Sequence, residues 1–130
     1  MKALVVEDDS VSRKLLQSIL LNHGECNVAV NGMEAMESFV SALAEEHPYD
    51  LICLDIMMPE LDGLETLKKI REVESDVGIG GLDGVKIIIT SQLADKEHIL
   101  KAFREGSEAY LVKPLDRTKL AELLTQLHLV

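Results

Sequence analysis

Leu51-Ile52-Cys53-Leu54-Asp55 is four apolar residues closed by a carboxylate, and the same construction recurs along the chain. Leu4-Val5-Val6 runs into Glu7-Asp8, Ile87-Ile88-Ile89 into Thr90, and Tyr110-Leu111-Val112 into Lys113. Each run has the length and the Val, Ile and Leu content of a strand covered on both faces. A shorter run, Cys26–Val30, completes a set of five. Helical spacing fills the intervals: Val11, Leu15, Ile19 and Leu20 after a cap at Ser10 or Ser12; Met33, Met36, Phe39, Val40 and Leu43 after Asn31-Gly32; Leu64, Leu67 and Ile70 after Gly63. A helix from about Asp95 to Arg104 stops at Gly106, and a last one follows Asp116 with Leu120, Leu123, Leu124 and Leu127 inward. Strand and helix alternate throughout, which predicts an α/β fold: a right-handed, doubly wound, five-stranded parallel sheet.

The chain has 130 residues, enough for one domain, and residues 1–130 show no repeat or linker. It is 47% hydrophobic and 28% charged, outside the disordered class, with a formal charge of −10. That charge argues against a sequence-independent grip on nucleic acid or on an anionic membrane, both of which need basic surface. It suits divalent cations and basic protein partners. Cys26 and Cys53 form no C-x-x-C pair and read as buried, reduced side chains. An uninterrupted run of only four apolar residues, Ala3 to Val6, leads into Glu7, too short for a signal-peptide core or a membrane span, so a cytoplasmic location is expected.

In a parallel sheet the carboxyl ends of the strands share one edge, and distant residues converge there. In the common order 2-1-3-4-5, Glu7 and Asp8 end a strand next to the one that Asp55 ends. Carboxylates this close repel by about 4 kcal/mol per pair at about 4 Å and an effective dielectric near 20. A divalent cation removes that cost, and hard oxygen ligands with open positions suit Mg²⁺. The simpler alternative is a solvated turn at Glu7, Asp8 and Asp9, with Asp55 capping a helix. Asp55 is the candidate nucleophile toward phosphorus. Lys113 is placed to neutralise charge on phosphoryl oxygens, and Thr90 offers them a hydroxyl.

Val5-Val6-Glu7-Asp8, Leu54-Asp55-Ile56-Met57-Met58-Pro59 with Asp62-Gly63, Ile89-Thr90-Ser91 and Val112-Lys113-Pro114 resemble, in order and spacing, the receiver domain of two-component response regulators. The resemblance runs from about Lys2 to Leu127 and is to the stand-alone, CheY-like type. It implies a flavodoxin-like (βα)5 sheet of order 2-1-3-4-5. It implies that Asp55 accepts a phosphoryl group from a histidine kinase or phosphotransfer protein. Glu7, Asp8 and Asp55, with the Met57 backbone carbonyl, would hold Mg²⁺. Thr90 and Tyr110 would switch together, Lys113 would pair with the phosphate, and the Lys113–Pro114 peptide would be cis. A downstream target protein would read the face formed by the fourth helix, fifth strand and fifth helix. The chain would catalyse only its own phosphorylation and dephosphorylation.

A rival reading is a Mg²⁺-dependent phosphohydrolase with an aspartyl-phosphate intermediate. Such enzymes commonly carry a second carboxylate two residues after the nucleophile, where this chain has Met57. A receiver that binds partners without phosphorylation is opposed by the complete residue set. Met57 and Gln92 would flank the phosphoryl group, and Met57 brings no polar atom to orient water, so slow hydrolysis is expected. Glu74–Gly84, with Gly78, Gly80, Gly81 and Gly84, reads as a flexible loop at the opposite end of the sheet and does not spell a nucleotide-binding motif. His23, His47, His98 and His128 read as solvated side chains, and Met33 and Met36 as core.

Overall fold

The structure is a computed structural model that describes residues 1–58, 62–80 and 83–130. Pro59 and Gly81, both singled out in the sequence, lie outside the described residues. Strands β1 (Lys2–Val6), β2 (Glu25–Ala29), β3 (Leu51–Asp55), β4 (Lys86–Ser91) and β5 (Ala109–Val112) alternate with helices α1 (Ser10–Leu20), α2 (Gly32–Ala44), α3 (Gly63–Asp76), α4 (Lys96–Arg104) and α5 (Arg117–Gln126). All strand pairs are parallel, as the alternation predicts, and the order is β2-β1-β3-β4-β5, as the family resemblance implies.

Period-two alternation along the strands builds two cores. Leu4, Val6, Ile52, Leu54, Ile87 and Ile89 meet Ala35 and Phe39 of α2, Leu67 and Ile70 of α3 and Ala102 of α4 on one face. Ala3, Val5, Leu51, Cys53 and Ile88 meet Leu16, Ile19 and Leu20 of α1 and Leu120 and Leu124 of α5 on the other. Strands covered on both sides must be apolar at every position, which explains why β3 lacks a polar stripe. Burial of each such Leu or Ile contributes about 1.5–3 kcal/mol.

Each helix begins at an Asp or Asn whose side chain accepts a backbone N–H of the first turn: Asp9, Asn31, Asp62, Asp95 and Asp116. The α1 cap is therefore Asp9, not Ser10 or Ser12. Its carboxylate accepts from Ser12 N at 3.0 Å, a charged acceptor at the positive end of a helix. Three apolar positions assigned to helix cores are exposed instead: Val11 at 74%, Met33 at 55% and Val40 at 46%. In α2 the inward stripe is Ala35, Phe39 and Ala42, with Met36 and Leu43 partly buried. Glu74, Ser75 and Asp76 belong to α3, so the glycine-bearing loop begins later than its composition suggests. Strand β4 extends to Ser91, which puts Thr90 inside the strand and not just beyond it.

Candidate phosphoryl and cation site

The register decides which side chains meet. Val6 pairs with Leu54, Asp55 with Thr90, and Ser91 with Val112, so the ends of β1, β3, β4 and β5 lie level. The next step of the ladder places the following residues: Glu7 N donates to Ala29 O at 3.0 Å, and Lys113 N donates to Ser91 O at 2.7 Å. Glu7, Asp55, Thr90 and Lys113 thus come to one rim, as the strand ends predict.

Lys113 Nζ lies 2.5 Å from Glu7 Oε1 and 3.2 Å from Asp55 Oδ2. One oxygen from each of Glu7, Asp8 and Asp55 lies within 4.8 Å of the others. The three acids are not equivalent. Glu7 is fully buried, Asp55 is 4% exposed, and Asp8 is open to solvent. Asp9, the third acid of the run, is occupied as the α1 cap. Met57 N donates to Asp55 Oδ1 at 3.0 Å, which fixes the carboxylate against the start of the β3–α3 loop. The Lys113–Pro114 peptide is cis. Tyr110, half-buried on β5, donates its hydroxyl to Leu93 O at 2.6 Å, just ahead of α4.

The donor set fits a hard divalent cation. Glu7 uses one oxygen on Lys113, while its Oε2 is buried with no hydrogen-bond partner among the described residues. A buried carboxylate oxygen left facing two further carboxylates is costly, and a cation bound by oxygen ligands relieves it. Thr90 Oγ1 is likewise buried without a partner, a donor kept beside Asp55. Burial, reinforced by the nearby Asp55 charge, pushes the Glu7 carboxyl up to about 7 even though Lys113 pulls the other way. Burial would lower the Lys113 ammonium, but its bonds and proximity to Glu7 and Asp55 outweigh this and hold it above the ordinary lysine value.

The Glu7 shift has a sign that can be measured. Between the ordinary value of 4.5 and about 7 the folded protein holds a proton on Glu7 that the unfolded chain has lost. The stability that this group contributes is full at acid pH and disappears as pH rises through about 7. In metal-free buffer, the Tm of the wild type relative to Glu7→Gln is expected to fall across that window. A difference that is constant with pH would contradict the assignment. Added Mg²⁺ is expected to raise Tm more above pH 7 than below it, because the cation binds the ionised form.

Several sequence readings concern side chains that do not join the site. Gln92 is exposed just beyond β4, and Met57 is 56% exposed at the mouth. His98 pairs with Asp95, Nδ1 lying 2.6 Å from Oδ2, as part of the α4 cap. His23, His47 and His128 are exposed. Cys26 and Cys53 are buried and free, with burial lifting their thiols to about 11 and about 12.

Comparison with known proteins gives this site its context. The chemotaxis protein CheY of Treponema pallidum is 34% identical over 123 residues, covering 93% of this chain and 78% of that protein. The probable transcriptional regulator ycf29 of Porphyra purpurea is 34% identical over 125 residues, 95% of this chain, which spans 54% of that longer protein. The receiver domain of the histidine kinase CKI1 from Arabidopsis thaliana, solved with Mg²⁺ and BeF3−, superposes with a TM-score of 0.82 at 27% identity, covering 99% of this chain and 90% of that one. Residues 3–125 match the response regulator receiver domain as a family. The chain is therefore a member of the response regulator receiver domain family, a two-component phosphoacceptor module.

Proposed function

We propose that Asp55 is the phosphoacceptor and that residues 1–130 work as one receiver unit around it. The observation that carries this reading is the convergence of Lys113 Nζ on Glu7 and Asp55, beside two buried polar atoms with no partner among the described residues, Glu7 Oε2 and Thr90 Oγ1. An Asp55 oxygen attacks the phosphorus of a phosphohistidine on a histidine kinase or phosphotransfer protein. The phosphorus–nitrogen bond breaks, and its electron pair returns to the imidazole, which takes a proton. Lys113 holds positive charge against the phosphoryl oxygens, and the Thr90 hydroxyl donates to one of them.

Glu7, Asp8, Asp55 and the Met57 backbone carbonyl would hold Mg²⁺. When bound, the cation neutralises charge that builds on the transferring group. The carboxylates and the buried orphan oxygen support this, as does the Mg²⁺ and BeF3− complex of the CKI1 receiver. The product adds about −1.5 to −2 charge at a buried edge. Thr90 gains an acceptor, Tyr110 responds, and a target protein reads the altered α4–β5–α5 face. No metabolite is turned over: Met57 stands where a hydrolase would carry its acid. Two buried free thiols suit a reducing, cytoplasmic compartment.

Beryllofluoride binding tests the reading. Wild type is expected to bind it only with Mg²⁺, and Asp55→Asn not at all. Binding by Asp55→Asn, or binding without a cation, would reject Asp55 as the acceptor. The lifetime of the phosphorylated form is a separate prediction. Met57 supplies no hydrogen bond to an attacking water, so Met57→Asn is expected to speed loss of the phosphoryl group by about tenfold. Equal decay rates would remove Met57 from the account.

A further inference from the structure

At the end of the sheet opposite Asp55, Arg71 of α3 spends every donor of its guanidinium on groups that are far apart in sequence. Nη1 donates to Glu74 Oε1 at 2.7 Å and to Val85 O at 2.8 Å. Nε and Nη2 donate to Gly106 O at 3.1 and 2.7 Å, and Nη2 reaches both Glu108 oxygens at 3.0 Å. The two carboxylates pass the connection on to β4 and the residue before it: Val85 N donates to Glu74 Oε2 at 2.7 Å, and Ile87 N to Glu108 Oε2 at 2.6 Å. Glycines make room for this arrangement. A Cβ on Gly84 would lie 2.7 Å from Glu74 Oε1, and one on Gly106 would lie 3.1 Å from Arg71 Nε, at a φ of +108° that itself favours glycine.

These bonds define what is held. The turn after α4 (Gly106 to Glu108) and the start of β4 are fastened to α3. Among the described residues, no hydrogen bond fastens the other end of α4 to α3. Ala102, near the C-terminal end, is the only buried residue of α4. At the N-terminal end Asp95 bonds within its own helix, and the preceding loop meets the sheet through Tyr110 to Leu93 O and through Leu93 N to Ser91 Oγ. A planar, fully engaged guanidinium is a rigid tie, whereas two separate single hydrogen bonds, from the Tyr110 hydroxyl and to the Ser91 hydroxyl, are more readily exchanged.

We infer that Arg71 is a positioning residue that pins the C-terminal end of α4 to α3, so that displacement of α4 is a pivot about Gly106 with its moving end beside Leu93 and Tyr110. The tie exists whatever Asp55 does. Its use in signalling rests on the phosphoacceptor reading, because that pivot would direct a change at Thr90 and Tyr110 into the α4 face.

Backbone relaxation dispersion on the full chain tests the tie without any ligand. In the wild type, exchange contributions are expected at Leu93–His98 and to fade toward Phe103–Ser107. In Arg71→Met they are expected to spread several-fold into Phe103–Glu108. Binding of beryllofluoride with Mg²⁺ at the remote site is expected to stay within about twofold. If Arg71→Met does not fold, Glu108→Gln, which keeps an acceptor for Ile87 N, is expected to shift the profile in the same direction by less. A flat wild-type profile along α4, or a profile unchanged in the variant while only Tm falls, would overturn the pivot. Failure of wild type to bind beryllofluoride would reject the phosphoacceptor reading and leave the dispersion profile to judge the tie.

Discussion

Lys113→Met is expected to slow phosphorylation of Asp55 by about 10²–10³-fold, the cost of removing one preorganised donor from a developing oxyanion. The structure makes the substitution more severe than loss of a surface charge. Lys113 is 11% exposed at its side chain, 2.5 Å from a fully buried Glu7 and 3.2 Å from Asp55. Removing it leaves two buried carboxylates facing each other, which at pH above the Glu7 titration is expected to destabilise the metal-free protein by about 3–5 kcal/mol. The two effects separate on titration with a cation. Mg²⁺ supplies charge to the carboxylates, so the stability loss should shrink as it is added. The rate loss should persist, because the amine that faces the phosphoryl oxygens is gone. Urea unfolding and phosphorylation kinetics on one preparation, with and without Mg²⁺, measure both. An unchanged rate would remove Lys113 from the chemistry.

Gly63→Ala is the second large effect, and it arises from backbone contact. A Cβ at Gly63 would lie 2.1 Å from Asp55 O and 2.6 Å from Ile56 Cα, while Gly63 N donates to Ile56 O at 2.9 Å. Neither atom belongs to a flexible side chain, so α3 must move away from the end of β3. Overpacking of a well-filled site costs about 1–3 kcal/mol, and the upper end or beyond is expected where backbone meets backbone. The displacement also reaches the site, since Asp62 caps α3 and Met57 N holds Asp55 Oδ1 in the same connection. Thermal unfolding should show the stability loss, and Mg²⁺ affinity should fall with it. Near-wild-type stability together with intact cation binding would show that the connection relaxes easily.

The sequence exposed the site more fully than the packing. Strand periodicity and a parallel sheet put the residues that end the apolar runs, Glu7-Asp8, Asp55, Thr90 and Lys113, on one edge, and the strand order implied by the family resemblance made them neighbours. The helices were harder, because periodicity marks a stripe without saying how wide the neighbouring layer is. Val11, Met33 and Val40 satisfy the spacing but face solvent, while small residues such as Ala35 and Ala42 are buried in their place. The α1 cap was misplaced because Asp9 was counted with the acids before it. An Asp immediately ahead of a helix, three residues before a free N–H, was the available signal. Nothing in the sequence separated Glu7 from Asp8, whose burial differs only through packing. The Arg71 tie was missed for a related reason. Arg71, Glu74 and Glu108 look like ordinary solvated charges until the fold brings Val85, Ile87 and Gly106 beside them.

The central claim is that one carboxylate among three at this rim becomes covalently modified. Exposing the purified chain to acetyl phosphate with Mg²⁺, then locating the modification by peptide mass analysis, tests it most directly. A gain of one phosphoryl group on the peptide containing Asp55, absent in Asp55→Asn and absent when the cation is chelated, is the predicted result. A phosphoryl group found elsewhere in the wild type, or one retained by Asp55→Asn at the same extent, would contradict the account.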